Sequence, residues 1–321
     1  MKRDSKEKKI AIVAGGAGFI GSHLCGRLLT EGYAVRVIDN LYTGSENNIR
    51  SYQEHPRFEF FRHDITTPYL CDDASVIFNL ACPASPSKYQ QDPIFTTRTS
   101  VLGTLNMLEL ARRNDCVMLQ ASTSEVYGNP NVHPQTENYH GCVNPIGPRS
   151  CYDEGKRCAE SLCMDYFRQY GTKVKIFRIF NTYGPNMAVD DGKVMSKMIV
   201  QALSSQPLSI HGNGQQTRSF MYVDDLIEAI IRLASTPDSV TGPINIGNPD
   251  ERSIENLAKT IIAKTHSTST TTHLPLPPDD PCRRCPDISL AKDTLNDWHP
   301  TIGIDEGLQR TIDYFKSLLA D

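Results

Sequence analysis

Ile10-Ala11-Ile12-Val13-Ala14-Gly15-Gly16-Ala17-Gly18-Phe19-Ile20-Gly21 is the stretch on which the fold turns. Its first five residues read as a short buried strand, and Phe19 to Thr30 carries the apolar spacing of a helix. Between them Gly15, Gly18 and Gly21 fall at a G-x-x-G-x-x-G spacing. Glycine there permits a tight turn, lets backbone N–H groups approach a pyrophosphate, and lets the helix pack closely on the sheet. The helix N-terminus adds unsatisfied donors and a partial positive charge. About 20 residues on, Asp39 ends the next strand, Tyr33 to Asp39. A carboxylate at that point bonds the ribose hydroxyls of NAD and repels the 2′-phosphate of NADP, so this unit predicts NAD binding.

Outward from this unit the alternation continues. Phe58 to Phe61, Ser75 to Leu80, Cys116 to Ala121 and Val174 to Ile179 read as buried strands. Helical stretches run from about Pro93 to Arg113 and from Cys151 to Tyr170. Strands and helices in this order predict an α/β fold, a Rossmann-like, doubly wound parallel sheet. After Asn181 breakers become frequent, and the expectation is a smaller C-terminal substrate-binding α/β domain. The division is then a basic tail 1–9, a first domain 10–182 and a second 183–321, some of whose segments return to the first. Pro275 to Pro286 and the Ser/Thr run Thr265 to Thr272 read as loops, and Leu308 to Leu319 as a closing amphipathic helix.

The chain has 321 residues, net charge −4, 39% hydrophobic and 22% charged residues, which is a soluble globular composition without a global attraction for nucleic acid. No apolar run reaches the roughly 20 residues needed to span a bilayer, and no hydrophobic signal core follows the basic start. Of the ten cysteines only Cys282 and Cys285 form a C-x-x-C pair, with no second pair at zinc spacing, so reduced cytoplasmic thiols and no metal are expected.

Tyr152 and Lys156 stand at i and i+4, on one helical face. Free tyrosine has a pKa of about 10, and a nearby ammonium favours the phenolate that a general base requires. The run Ser122-Thr123-Ser124-Glu125-Val126-Tyr127-Gly128 precedes them at a strand end, where a parallel sheet binds its ligands.

Together the glycine turn, Asp39, this run and Tyr152/Lys156 resemble the extended short-chain dehydrogenase/reductase superfamily. Longer runs resemble its UDP-glucuronate decarboxylase branch: Pro83 to Pro86, Asn144 to Pro148, Cys151 to Arg157, Arg178 to Pro185, Gln216 to Phe220, and Asp279-Asp280-Pro281 with Arg284, Pro286, Asp287 and Ile288. The resemblance implies that Tyr152 deprotonates the sugar O4 beside Thr123, that Lys156 tunes Tyr152, and that carbon dioxide leaves from beta to the resulting C4 ketone. It implies cofactor contacts from Gly15, Gly18, Phe19, Ile20, Gly21, Asp39, Asn40, Thr43, Gly44, Asp64, Ile65, Leu80, Cys82, Thr99, Ala121, Tyr152, Lys156 and Thr182. Ser124, Asn181, Lys193, Arg218 and Arg284 are the implied UDP-sugar contacts. Glu125 and Arg218 are candidates for the carboxylate end and the C5 proton, with Glu125 expected to rise in pKa.

Related dehydratases carry Asp where Ser124 stands, so elimination of water lacks its proton donor here. Ala14, Cys82, Ser100, Asn186, Ala188 and His211 depart from the usual residues and affect fine contacts around cofactor and substrate. A 4-epimerase or other hexuronate-modifying enzyme, or a non-catalytic NAD-binding scaffold, are the alternatives. The two long helical stretches resemble those that pair in homodimers of this superfamily.

Overall fold

The computed structural model describes residues 9–276 and 283–320. Residues 1–8, Asp279-Asp280-Pro281 and Cys282 therefore lie outside the described residues. Six parallel strands, β1 (Ile10–Ala14), β2 (Ala34–Asp39), β3 (Phe58–Arg62), β4 (Val76–Asn79), β5 (Val117–Thr123) and β6 (Val174–Ile179), lie in the order β3-β2-β1-β4-β5-β6. All residues of β1 and β4 are buried, as expected where helices cover both faces of a parallel sheet. β3 is the edge and carries the exposed Glu59 and Arg62. The strand order reverses between β1 and β4, and a crevice opens there at the carboxyl ends of the strands.

α1 (Phe19–Thr30) starts directly after the glycine turn. The stretch after β4 is built of α2 (Pro86–Tyr89), α3 (Pro93–Arg98), one π-helical turn (Thr99–Gly103) and α4 (Thr104–Arg113). α5 (Ser150–Tyr170) ends at Gly171, whose φ of +68° is the left-handed cap that stops a helix. Gly155 brings α5 against the π turn, since a Cβ there would stand 2.9 Å from the Cβ of Ser100. This close approach holds the Tyr152–Lys156 turn of α5 over the crevice.

The second half contains β7 (Thr182–Tyr183), α6 (Val194–Leu203), β8 (Leu208–His211), β9 (Thr217–Ser219), β10 (Met221–Tyr222), α7 (Val223–Ala234), β11 (Ile244–Ile246), β12 (Glu251–Ser253), α8 (Ile254–Thr265), β13 (Thr271–Leu274), β14 (Arg283–Arg284), α9 (Ser289–Thr294) and α10 (Ile304–Ala320). β11 joins the large sheet beside β6, and α7 packs on α1. The rest forms small units: β12-β9-β14, β10-β7 and β13-β8. Two stretches read as loops are partly strand. Thr271 and Thr272 pair with β8, and Arg283–Arg284 pair with β9. Neither two-residue nor polar strands carry a hydrophobic period, so backbone pairing with a neighbour decides them.

One apolar cluster runs from Val13 and Leu24 through Met198 and Ile230 to Leu308, so the two halves share a core. Asp225 of α7 fixes the approach to α10, its carboxylate accepting from Thr301 N (3.0 Å), Thr301 Oγ1 (2.9 Å) and Ile302 N (3.1 Å). Among the described residues no helix is long and apolar enough to cross a membrane.

Candidate active site

A cleft of about 790 Å³ runs from the glycine turn, along the ends of β4 and β5, to β8 and β9. Gly15 has φ +79°, and a Cβ on it would lie 2.8 Å from Ala81 Cα, so the turn packs directly on the end of β4. A Cβ on Gly21 would lie 2.2 Å from Gly15 O. Gly18 caps α1 with no side-chain bond to the first turn, which leaves the helix N-terminus facing the cleft, lined by Phe19, Ile20 and Gly21. Asp39 accepts from Ala17 N at 3.0 Å and from Leu41 N at 2.8 Å. Burial raises its pKa, against those two bonds. Asn40 donates to Asp64 Oδ2 at 3.2 Å, so the ends of β2 and β3 are tied together. An uncapped helix end, a side-chain-free turn and a buried carboxylate suit the diphosphate and ribose of NAD.

Thr43, Ile65, Leu80, Cys82, Thr99, Ala121 and Thr182 line the same cavity. Cys82 Sγ lies 3.2 Å from Ser100 Oγ, Thr99 donates to Phe95 O at 2.9 Å and Thr182 to Phe180 O at 3.0 Å. Gly44 lies beside the Asp39 carboxylate, whose Oδ2 would stand 3.0 Å from a Cβ there, and against the backbone of Ala17 at 3.1 Å.

Across the cleft, Tyr152 is buried and stacks on Tyr89, with ring centroids 5.1 Å apart and planes 3° from parallel. Thr123 lies at the end of β5, where its hydroxyl accepts from Glu125 N at 3.2 Å and favours ionisation of Tyr152. Lys156 is also buried, but its Nζ donates to Ala121 O at 2.9 Å and sits 5.9 Å from the Tyr152 ring centroid. The tyrosine pKa is accordingly raised well above 10, through burial first and then the negative charges of Cys82, Glu125 and Asp153. In this arrangement the Lys156 ammonium is directed to a backbone carbonyl.

Glu125 departs from expectation. Its side chain is 18% exposed and lies among three guanidinium groups. Arg149 Nη2 is paired with Oε2, and Arg284 Nη1 lies 3.2 Å from Oε1. Burial opposes ionisation, but the charges of Arg284, Arg149 and Arg218 outweigh it and lower the Glu125 pKa. Glu125 is therefore a held carboxylate and not a raised acid. The raised acid is its neighbour Asp153, pushed to about 7 by burial and by the charge of Glu125.

Arg284 stands apart from the other expected substrate contacts. It is 1% exposed, absent from the cleft wall, and donates to the carbonyls of Ser124 and, at 3.1 Å, Gly128. It braces the Ser124–Glu125 backbone from behind. Arg218, its register partner across β9 and β14, does line the cleft and donates to Thr217 O at 2.8 Å. Ser124, Asn181 and Lys193 also line it, Asn181 with its carbonyl bonded to Met221 N at 2.9 Å. His211 lines the far end, its Nδ1 donating to Pro275 O at 2.9 Å. Asn186 adopts φ +67° and donates to Ser22 Oγ at 2.9 Å, tying its loop to α1.

Sequence reasoning missed Tyr89, Arg149 and Asp153. Arg149 and Asp153 flank Tyr152 in sequence, yet no spacing rule distinguishes them from an exposed helix face. Tyr89 belongs to a short helix without periodicity.

A family model described as "NAD dependent epimerase/dehydratase family" matches residues 11–247. The chain belongs to that family. Among its members, UDP-glucuronic acid decarboxylase 3 of Arabidopsis thaliana is 51% identical over 298 residues, covering 92% of this chain and 86% of the relative. UDP-glucuronic acid decarboxylase 1 of Xenopus tropicalis is 47% identical, covering 98% of this chain and 74% of the relative. In structure the chain is similar to UDP-glucuronic acid 4-epimerase from Bacillus cereus, solved with UDP-glucuronic acid and NAD. That match has TM-score 0.87 and 31% identity, over 96% of this chain and 99% of the other.

Proposed function

We propose that this protein decarboxylates UDP-glucuronate to UDP-xylose, using NAD that is regenerated in each turnover. The observation that carries the reading is that Thr123 and Tyr152 line the same cleft as Glu125 and Arg218, with Ser124 between Thr123 and Glu125 in the chain. The decarboxylase relatives, near 50% identity over most of the chain, support it.

The glycine turn, Asp39 and Lys156 would hold NAD, which would supply a reversible hydride acceptor for C4 of the sugar and so make the cycle redox-neutral. Tyr152 takes the proton of O4, with Thr123 holding the same oxygen. Because burial raises the tyrosine, the protonated phenol is its resting form, and added positive charge in the cleft is needed before it acts as a base. Once C4 is a ketone, the carboxylate on C5 is beta to it, and the electron pair left by departing carbon dioxide spreads onto O4 as an enolate. The phenol of Tyr152 then donates to that oxygen. Protonation at C5 gives a 4-keto pentose, and return of the hydride to C4 with a proton from Tyr152 to O4 gives UDP-xylose.

Arg218 lines the cleft, while Arg149 and Arg284 keep Glu125 ionised beside it. One guanidinium draws the uronate carboxylate in, and the adjacent anion keeps that ion pair from becoming too favourable to leave. Asn181, Lys193 and His211 are assigned to the nucleotide end of the sugar diphosphate. Unpaired cysteines among the described residues suit a cytoplasmic setting. A homodimer is proposed through the π-turn helix pair and α5, whose outer faces expose Ile94, Leu102, Phe167 and Tyr170.

Mass spectrometry after incubation with UDP-glucuronate tests the reaction. A pentose nucleotide and one equivalent of carbon dioxide are expected, and Tyr152→Phe should slow their formation by roughly 10²–10⁴-fold. A product that keeps six sugar carbons would replace the decarboxylase with the 4-epimerase reading, and an unchanged rate in Tyr152→Phe would remove Tyr152 from the mechanism.

A further inference from the structure

Outside the cleft, His133, Glu251 and Cys285 converge from three separate segments, and their nitrogen, oxygen and sulfur atoms all lie within 4.8 Å of one another. His133 Nε2 is 3.0 Å from Glu251 Oε2. The other carboxylate oxygen accepts from Thr217 Oγ1 at 2.7 Å, which orients Glu251 from β9. Gln135, two residues after His133, holds the Cys285 backbone twice: its Oε1 accepts from Cys285 N and its own N donates to Cys285 O, both at 2.9 Å. β12, which begins at Glu251, and β14, which ends just before Cys285, both pair with β9. The three side chains are thus brought together by backbone pairing and by Gln135. Cys285 is buried, Glu251 half-buried and His133 exposed, so the cluster opens to solvent at the imidazole. None of the three takes part in the sugar chemistry.

We propose that His133, Glu251 and Cys285 form a binding site for Zn²⁺. Sulfur and imidazole select a borderline-soft transition cation over Mg²⁺ or Ca²⁺. A ligating carboxylate oriented by a neighbouring hydroxyl is the outer-shell arrangement such sites use. With bonds of about 2.0–2.3 Å, tetrahedral ligands stand roughly 3.5 Å apart. The widest separation therefore closes by about 1 Å while the His133–Glu251 pair opens slightly from 3.0 Å, both within reach of side-chain rotation. As the metal–sulfur bond forms, the Cys285 thiol proton passes to solvent and the bond it now makes to Pro249 O, at 3.5 Å, is given up. His133 binds as the neutral imidazole, and water completes the fourth position. One thiolate and one carboxylate balance the two charges of the cation. Since Cys285 follows Arg284 directly, an occupied site would brace the strand whose guanidinium holds Glu125.

Co²⁺ titration of the chelator-treated full chain, followed in the visible and near-ultraviolet and then displaced by Zn²⁺, tests this. The wild type should take up one Co²⁺ with a thiolate-to-cobalt charge-transfer absorption. Cys285→Ser should lose that absorption, and Cys285→Ser and His133→Asn should each weaken binding at least tenfold. A Cys142→Ser/Cys158→Ser double variant, which removes exposed thiols, should bind as the wild type does. Both single changes are close in size to the native residue, and circular dichroism establishes that each variant is folded. Absence of the thiolate absorption in the wild type would overturn the site. So would undiminished binding in Cys285→Ser or in His133→Asn, or loss of binding in the double variant.

Discussion

At the scale of single residues, the arginines around Glu125 divide by where they point. Arg218 faces the cleft, while Arg284 is wholly behind it, bonded to the Ser124 and Gly128 carbonyls. Arg218→Gln should therefore raise KM for UDP-glucuronate by tenfold or more, whereas Arg284→Gln should lower kcat with a smaller change in KM. Arg284→Gln should also cost about 3 kcal/mol of stability, because it removes one partner from a buried charge cluster. Steady-state kinetics with denaturant unfolding checks both. An equal KM increase in the two variants would place Arg284 against the substrate. Asp153 sets a pH dependence at the same scale. Its pKa is about 7 folded against an ordinary value near 3.8, so the folded state holds its proton between those values and the unfolded state does not. Its contribution to stability is present at low pH and lost as pH rises from about 4 to 7. Asp153→Asn should gain on the wild type across that window by on the order of 2 kcal/mol, read from urea midpoints at pH 4.5 and 7.5.

Two close approaches govern the elements that carry the site. In the glycine turn, a methyl on Gly21 would overlap the carbonyl of Gly15 at 2.2 Å, and the displaced atom is backbone. Gly21→Ala should therefore move α1 off the turn and weaken NAD binding at least tenfold, measured by titration calorimetry. In the second, α5 meets the π turn at Gly155 and Ser100, with a Cβ distance of 2.9 Å. Gly155→Ala should push the Tyr152–Lys156 turn outward and lower kcat, at a stability cost of about 1–3 kcal/mol typical of overpacking. If Gly155→Ala keeps full activity and the same unfolding midpoint, this contact does not position the catalytic helix. The turn, its strand and helix were legible from Gly15 to Thr30 because glycine spacing and apolar periodicity are local. The π turn was not, since Thr99 to Gly103 sits inside a continuous helical pattern and its extra residue answers to packing against α5.

For the whole molecule, the shared core ties the halves together through α7, packed on α1, and through β11, added to the large sheet. The outer faces of α3, the π turn and α5 leave Ile94 73% exposed and Tyr170 53% exposed. If these faces pair between copies, light scattering should give twice 35.8 kDa, and Ile94→Glu with Leu102→Glu should halve it. A wild-type mass of a single chain would dispose of the dimer.

The sequence by itself determined the parallel sheet, the cofactor turn and the Tyr152–Lys156 face, because each is written in a short window of glycines, alternation or helical spacing. Ser124 beside Glu125 was equally visible. Only the tertiary structure decided the charge state of Glu125, whose partners Arg149 and Arg284 lie 24 and 159 residues away. It likewise decided that Arg284 stands behind the wall, and that His133 and Glu251 meet Cys285. An ionisable group takes its pKa from whatever folding brings within a few ångströms and from how much water folding removes, and no local spacing encodes either.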